Sequence, residues 1–230
     1  MARDPFGERW PEVYAETPEV FARFSQAEDR TSLIPARLLE AANFEAHRVL
    51  ELGAGTGRWT RQLGPQSKDW IASEPQPGML KIGTQQPIAR TQWLRARGQQ
   101  MPFRDGSFQR IFGAFVFANL RPKTRAKVVL ESQRLLQPGG ELWLLENHWD
   151  DQFQELRQAA GLEVTREIEP LITEFNFEHV DTISTRMEFE NDEIAHKTLG
   201  TILGPRVEQY LAQHPQHKFT HRVCLLRWKA

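Results

Sequence analysis

The stretch Val49–Leu63, VLELGAGTGRWTRQL, constrains the fold most: an apolar run breaks into glycines at Gly53, Gly55 and Gly57, then resumes as a helix-like segment. A buried strand that turns at once into a helix must be followed by a return strand, and such connections build a parallel sheet. The pattern recurs down the chain. RVLELGAG reads as a strand, RWTRQLG as a helix, DWIASEP as a strand, PGMLKIGTQQ as a helix and QWLRARG as a strand. After the turn FRDGS come FQRIFGAFVFANL as a strand, TRAKVVLESQRLLQ as an amphipathic helix stopped by PGG, and ELWLLENHW as a further strand. Ahead of this alternation, PEVYAETPEVFARFS reads as one helix and TSLIPARLLEAA as another, with Thr31 or Ser32 available as its N-cap. Near the end, TEFNFEHVDTISTRMEFEN and FTHRVCLLRW read as two more strands around DEIAHKTLGTILGPRVEQYLAQH, two short helices broken by LGP. The expected fold is therefore α/β: a Rossmann-like, doubly wound, mostly parallel seven-stranded sheet with helices on both faces and a small helical insertion before the last strand.

At 230 residues the chain is long enough for one sizeable core, so one domain is expected over 1–230. It divides into an N-terminal helical cap (1–45), a ligand-binding core (46–150) and a C-terminal sheet half (151–230). The formal charge of −1, without a block of like charge, disfavours DNA and other polyanions as partners. The single cysteine, Cys224, can form no internal disulfide, and no Cys or His spacing suggests a metal site. The charged start MARDPFGERW lacks the apolar stretch of a secretory signal, and no run reaches membrane-spanning length, so a cytoplasmic protein is expected.

Glycines that follow a strand and open a helix let a ligand approach the backbone and meet the free N–H groups of the helix start. Glu74 ends the next strand, near the spacing at which an acid accepts hydrogen bonds from a ribose diol. An adenosine-like ligand follows, either a dinucleotide or S-adenosylmethionine. The glycines fall as GxGxG, with Arg58 where a dinucleotide fingerprint has its last glycine, which favours S-adenosylmethionine.

VLELGAGTGRWT, IASEPQPGML, GQQMPFRDGSFQRIFGAFVFANL and LLQPGGELWLLE, in that order, resemble the successive motifs of class I S-adenosylmethionine-dependent methyltransferases, most of all the type 11 domain common in quinone biosynthesis. The likeness runs from about His47 to Asn147. It implies that Glu51, Gly53 and Gly55 line the methionine portion of the cofactor and that Gly57 lets the helix start. It also implies that Glu74 takes the ribose hydroxyls, that Pro75, Met79, Gly98 and Gln99 surround the adenine, and that Ala114 and Phe115 lie beside the methionine end. The sequence departs from the family pattern at Arg97, Gln109, Ala118 and Asn119.

The implied activity is methyl transfer to a small-molecule acceptor by in-line displacement, in which positioning dominates. Where the acceptor must lose a proton, Glu146 and His148 stand at the end of the fifth strand, while Tyr14 and Trp10 belong to an N-terminal helix that would close the site. A segment from 173 to 217, inserted before the last strand, is expected to form the acceptor side, with Gly200 and Gly204 as hinges of a lid. Within it Phe175, Phe177 and Phe189 read as core, and His179, His196, His214, His217 and the later His221 as surface or structural residues. A binding protein without turnover, a methyltransferase of RNA or protein, and a nicotinamide oxidoreductase are the alternatives. A monomer or homodimer is expected.

Overall fold

The structure, a computed structural model, describes residues 10–117, 120–161 and 168–230. Its strands are β1 (Arg48–Leu52), β2 (Asp69–Ser73), β3 (Thr91–Leu94), β4 (Phe108–Ala114), β5 (Leu136–Asn147), β6 (Glu178–Glu188) and β7 (Lys218–Lys229). They form a seven-stranded sheet in the order β3-β2-β1-β4-β5-β7-β6. The first five strands pair in parallel, and β7 runs antiparallel between β5 and β6. The order reverses direction between β1 and β4, which opens a crevice at their C-terminal ends.

The helices are α1 (Trp10–Glu16), α2 (Pro18–Ala27), α3 (Leu33–Ala42), α4 (Arg58–Leu63), α5 (Pro77–Gly83), α6 (Pro122–Leu135), α7 (Gln152–Ala159), α8 (Glu169–Phe175), α9 (Asp192–Leu203) and α10 (Pro205–Gln213). Strand alternation sorts the core between two faces. Leu50, Leu52, Leu142 and Leu144 pack with Val128 and Val129 of α6 and Leu171 of α8. Val49, Trp143 and Leu145 pack on the opposite face with Ile34 and Leu38 of α3 and Trp59 and Leu63 of α4. A third cluster joins Val13, Phe24 and Phe153 to Leu199, Ile202, Val207 and Leu211, so α1, α2, α7, α9 and α10 pack together. Among the described residues no helix is long and apolar enough to cross a membrane.

Several local expectations are corrected. The first helix is two, α1 and α2, because Pro18 lacks an N–H and disfavours helical backbone at Thr17. Neither Thr31 nor Ser32 caps α3. Ser32 sits at φ 57 without a capping bond, and the Asp29 carboxylate accepts from the Ile34 N–H at 2.7 Å instead. Strand β4 stops at Ala114 rather than running on to Leu120, since Phe115 turns left-handed at φ 57. The PGG turn lies inside β5, where the pairing with β4 shifts register between Phe108 and Arg110. Residues 173–175 belong to α8, and the segment 173–217 contains β6, so only α9 and α10 separate the last two strands.

Candidate functional site

The turn after β1 is shaped by left-handed backbone: Gly53, Gly55 and Gly57 have φ of 69, 58 and 85°. A Cβ at Gly53 would stand 2.6 Å from Val116 Cγ2, and one at Gly57 would stand 2.9 Å from Trp93. The turn is tied to the neighbouring strand end. Ala54 N–H donates to Ser73 O at 2.9 Å, and Gly55 N–H donates to Glu74 Oε2 at 2.8 Å. Glu74 Oε1 accepts from Gln76 N–H at 2.7 Å. Burial raises the Glu74 carboxyl above the usual range, while these two backbone donors act to lower it.

A cavity of about 320 Å³ opens over this turn. Gly53, Gly55, Glu74, Pro75, Gln76 and Met79 line one part of it, and Ala114, Phe115, Val116, Leu120 and Asn147 another. Tyr14, Phe21, Phe24, Ser25 and Glu28 close it from α1 and α2 and the end of α2; Arg58 and Trp59 contribute from α4, and Phe153 and Arg157 from α7. The lining is therefore mostly apolar and aromatic with a few polar groups, the composition of a small-molecule pocket.

Six of the fourteen side chains or glycines proposed from the sequence do not line this cavity. Glu51 shares its strand face with Val49. Its Oε2 accepts from Thr60 Oγ1 at 2.6 Å and Trp70 Nε1 at 2.8 Å, and burial pushes its carboxyl up to about 7. Gly57 faces Trp93, and Gly98 faces Val128; Gln99 also stands apart from the lining. Glu146 lies on the Leu142 and Leu144 face of β5 and accepts from Phe117 N–H at 2.8 Å. His148 stacks on Trp149, with ring centroids 4.0 Å apart, and its Nδ1 accepts from Asp150 N–H. Burial holds the His148 imidazole below its ordinary pKa. Thus neither base candidate at the end of β5, Glu146 within it or His148 just after it, reaches the cavity. Of the remaining candidates, Gly53, Gly55, Glu74, Pro75, Met79, Ala114, Phe115 and Tyr14 do line it. The segment 173–217 contributes nothing to the lining, because α9 packs behind α2 and Gly200 lies within α9. Ala118 and Asn119 lie outside the described residues, as does the side chain of Trp10.

The sequence reading missed Glu28, Asn147, Phe153 and Arg157. Asn147 was open to strand parity: it alternates with Trp143 and Leu145, on the face opposite Glu146. His221 holds it from behind, with Nε2 3.1 Å from Asn147 Oδ1, and its ring lies against those of Phe115 and Phe153. Burial takes the His221 imidazole down to about 4.

Residues 49–140 match a family model described as a methyltransferase domain. These residues form a domain of the S-adenosylmethionine-dependent methyltransferase class. It is 33% identical over 125 residues to the uncharacterized methyltransferase Rv3342 of Mycobacterium tuberculosis, covering 54% of this chain and 49% of that protein. It is 37% identical over 113 residues to a demethylmenaquinone methyltransferase of Lactiplantibacillus plantarum, covering 45% and 46%. The chain thus spans about half the length of these methyltransferase relatives. Among solved structures, the YcgJ protein from Bacillus subtilis superposes with a TM-score of 0.64 at 16% identity, covering 85% of this chain and 97% of that one. That likeness shows the methyltransferase fold.

The family's cofactor is S-adenosylmethionine, and the residues present fit it. The left-handed glycine at Gly55 leaves backbone open to a ligand, and Glu74 places a carboxylate against the same turn. Among the described residues, no group of three His, Cys, Asp or Glu side chains could hold a metal ion.

Proposed function

We propose that the chain transfers a methyl group from S-adenosylmethionine to a small-molecule acceptor. The observation that carries this reading is the junction of Gly55 with Glu74 at one part of a cavity whose other walls include the rings of Tyr14, Phe21, Phe24, Trp59, Phe115 and Phe153. In this reading Gly53 and Gly55 receive the methionine portion and Glu74 the ribose hydroxyls. Pro75 and Met79 pack on the adenine, and Ala114 and Phe115 flank the methionine end. Glu51, Gly57, Gly98 and Gln99 shape the site from behind.

When bound, the cofactor supplies a methyl group already activated on a sulfonium. The protein's task is then alignment and exclusion of water. Tyr14, Phe21, Phe24, Phe115 and Phe153 wall off solvent, and ring faces also favour a nearby cation. Asn147, braced by His221, offers an amide with which to orient an acceptor. The family match ends at residue 140, so α1, α2, Asn147 and α7 lie outside it. These are the parts of the cavity that would set acceptor choice.

The test is calorimetric titration of the pure protein with S-adenosylmethionine, S-adenosylhomocysteine and NAD, followed by turnover with a mixed acceptor panel. Binding of the first two without NAD, and methylation of a small molecule, are expected. Binding of NAD in preference to S-adenosylhomocysteine overturns the reading.

A further inference from the structure

Arg58 opens α4 with its guanidinium in the cavity wall, where the side chain is only 8% exposed. Nη1 donates to the carboxylate of Glu28, just beyond the end of α2, and the guanidinium carbon lies 4.3 Å from the Trp59 ring centroid. The other terminal nitrogen, Nη2, is buried and has no hydrogen-bond partner among the described residues. Arginine keeps its charge under all conditions in which a protein is folded, so this donor cannot be silenced by losing a proton. An acceptor oxygen brought to that edge would remove the cost of burying it unsatisfied.

We propose that Arg58 forms a carboxylate-binding subsite of the cavity, with Nη2 as its donor and Glu28 holding the opposite edge of the fork. The proposal rests on reading the cavity as the donor and acceptor site. A guanidinium matches a planar carboxylate in both charge and shape. Two sources fit: the amino-acid end of the donor, beside the glycine turn, or an acid group on the acceptor, lying against Phe24 and Phe153.

The pair also makes binding proton-linked. An ionised Glu28 already neutralises Arg58, so an incoming carboxylate is best accommodated when Glu28 is protonated. Burial brings Glu28 up to about 7, against the opposing charge of Arg58, and neighbouring Asp29 adds to the rise. His221, whose Nδ1 stands 3.4 Å from the Glu28 carbonyl oxygen, is kept neutral by burial and supplies no competing charge. Affinity for the carboxylate should therefore be flat below this range and fall about tenfold per pH unit above it.

The experiment is calorimetry between pH 6 and 8.5 on the wild type, Arg58→Met and Glu28→Gln, each checked by thermal melting. S-Adenosylhomocysteine is compared with 5′-methylthioadenosine, which lacks the amino-acid end. Benzoate is compared with benzyl alcohol on protein saturated with S-adenosylhomocysteine. If the donor supplies the carboxylate, Arg58→Met weakens S-adenosylhomocysteine at least tenfold and leaves methylthioadenosine within threefold. If the acceptor supplies it, Arg58→Met leaves S-adenosylhomocysteine within threefold and abolishes benzoate binding, with benzyl alcohol unaffected. In either case Glu28→Gln tightens the carboxylate-bearing probe and removes its pH dependence, an effect that a merely structural ion pair would not produce. Should Arg58→Met fail to fold, Glu28→Gln decides alone. Insensitivity of both S-adenosylhomocysteine and benzoate to these substitutions overturns the subsite. Failure of both nucleosides to bind the wild type overturns the proposed function instead, and benzoate binding to the free protein still reads out Arg58.

Discussion

The Gly55 N–H donates to the Glu74 carboxylate at 2.8 Å, so the glycine turn after β1 and the acid at the end of β2 form one unit across two parallel strands. Replacing Glu74 by Ala should weaken S-adenosylhomocysteine by about 1–3 kcal/mol, the scale of a lost charged hydrogen-bond partner. Gly55→Asp should abolish binding, because a side chain there is strained at φ 58 and its Cβ would stand 3.2 Å from Phe21. Calorimetric titration checks both, and unchanged affinity in both variants would remove the cofactor assignment.

Trp93 lies over two glycines. A Cβ at Gly83 would stand 2.4 Å from its Cη2, and one at Gly57 2.9 Å from the same atom. Gly83→Ala should destabilise the protein by about 1–3 kcal/mol through overpacking. Gly57→Ala adds the cost of left-handed backbone, about 1–2 kcal/mol. Combining Gly83→Ala with Trp93→Leu should recover part of the loss, a coupling that denaturant melts of the double-mutant cycle will measure. Additive losses would show that the ring is not the obstacle.

Glu51 is fully buried and pushed up to about 7, above its ordinary value of 4.5. Its charged form therefore costs stability, which is intact below about 4.5 and is lost as pH rises toward 7. Glu51→Gln keeps an acceptor for Thr60 and Trp70 without the charge. Its stability relative to wild type should climb across that window and level off above it, by roughly 3 kcal/mol for a shift of this size. Thermal melts at a series of pH values will show the slope; a pH-independent difference would mean that Glu51 does not titrate in that window.

His148→Ala should leave S-adenosylhomocysteine affinity and turnover within about threefold, because the ring stacks on Trp149 and stands apart from the cavity lining. Asn147→Ala, one residue away, should raise the KM for the acceptor with little change in cofactor affinity. The opposite ranking of the two variants in steady-state kinetics would return the catalytic role to His148.

The alternation of apolar strands with amphipathic helices was written plainly in the sequence. So were the glycine turn and Glu74, because their signals are local: a strand, a turn that demands left-handed backbone, and an acid at the next strand end. Short-range features also betrayed the helix breaks at Pro18 and at Gly204, although only the second was read correctly. The cap of α3 was not legible in its nearest residues. Asp29 takes that role by bonding Ile34, Thr31 and, from β6, Thr185.

The sequence by itself determined the order of elements, the parallel sheet and the place where a cofactor-sized ligand meets backbone. Periodicity and glycine stereochemistry act within a few residues, which is why they survive without a fold. Tertiary structure decided which polar groups face the cavity. Strand parity turned Asn147 inward and Glu146 away. Packing of α9 behind α2 kept the late insertion out of the site, and the approach of α2 to α4 joined Glu28 to Arg58. These contacts link residues far apart in the chain, and only the simultaneous burial of several faces fixes them.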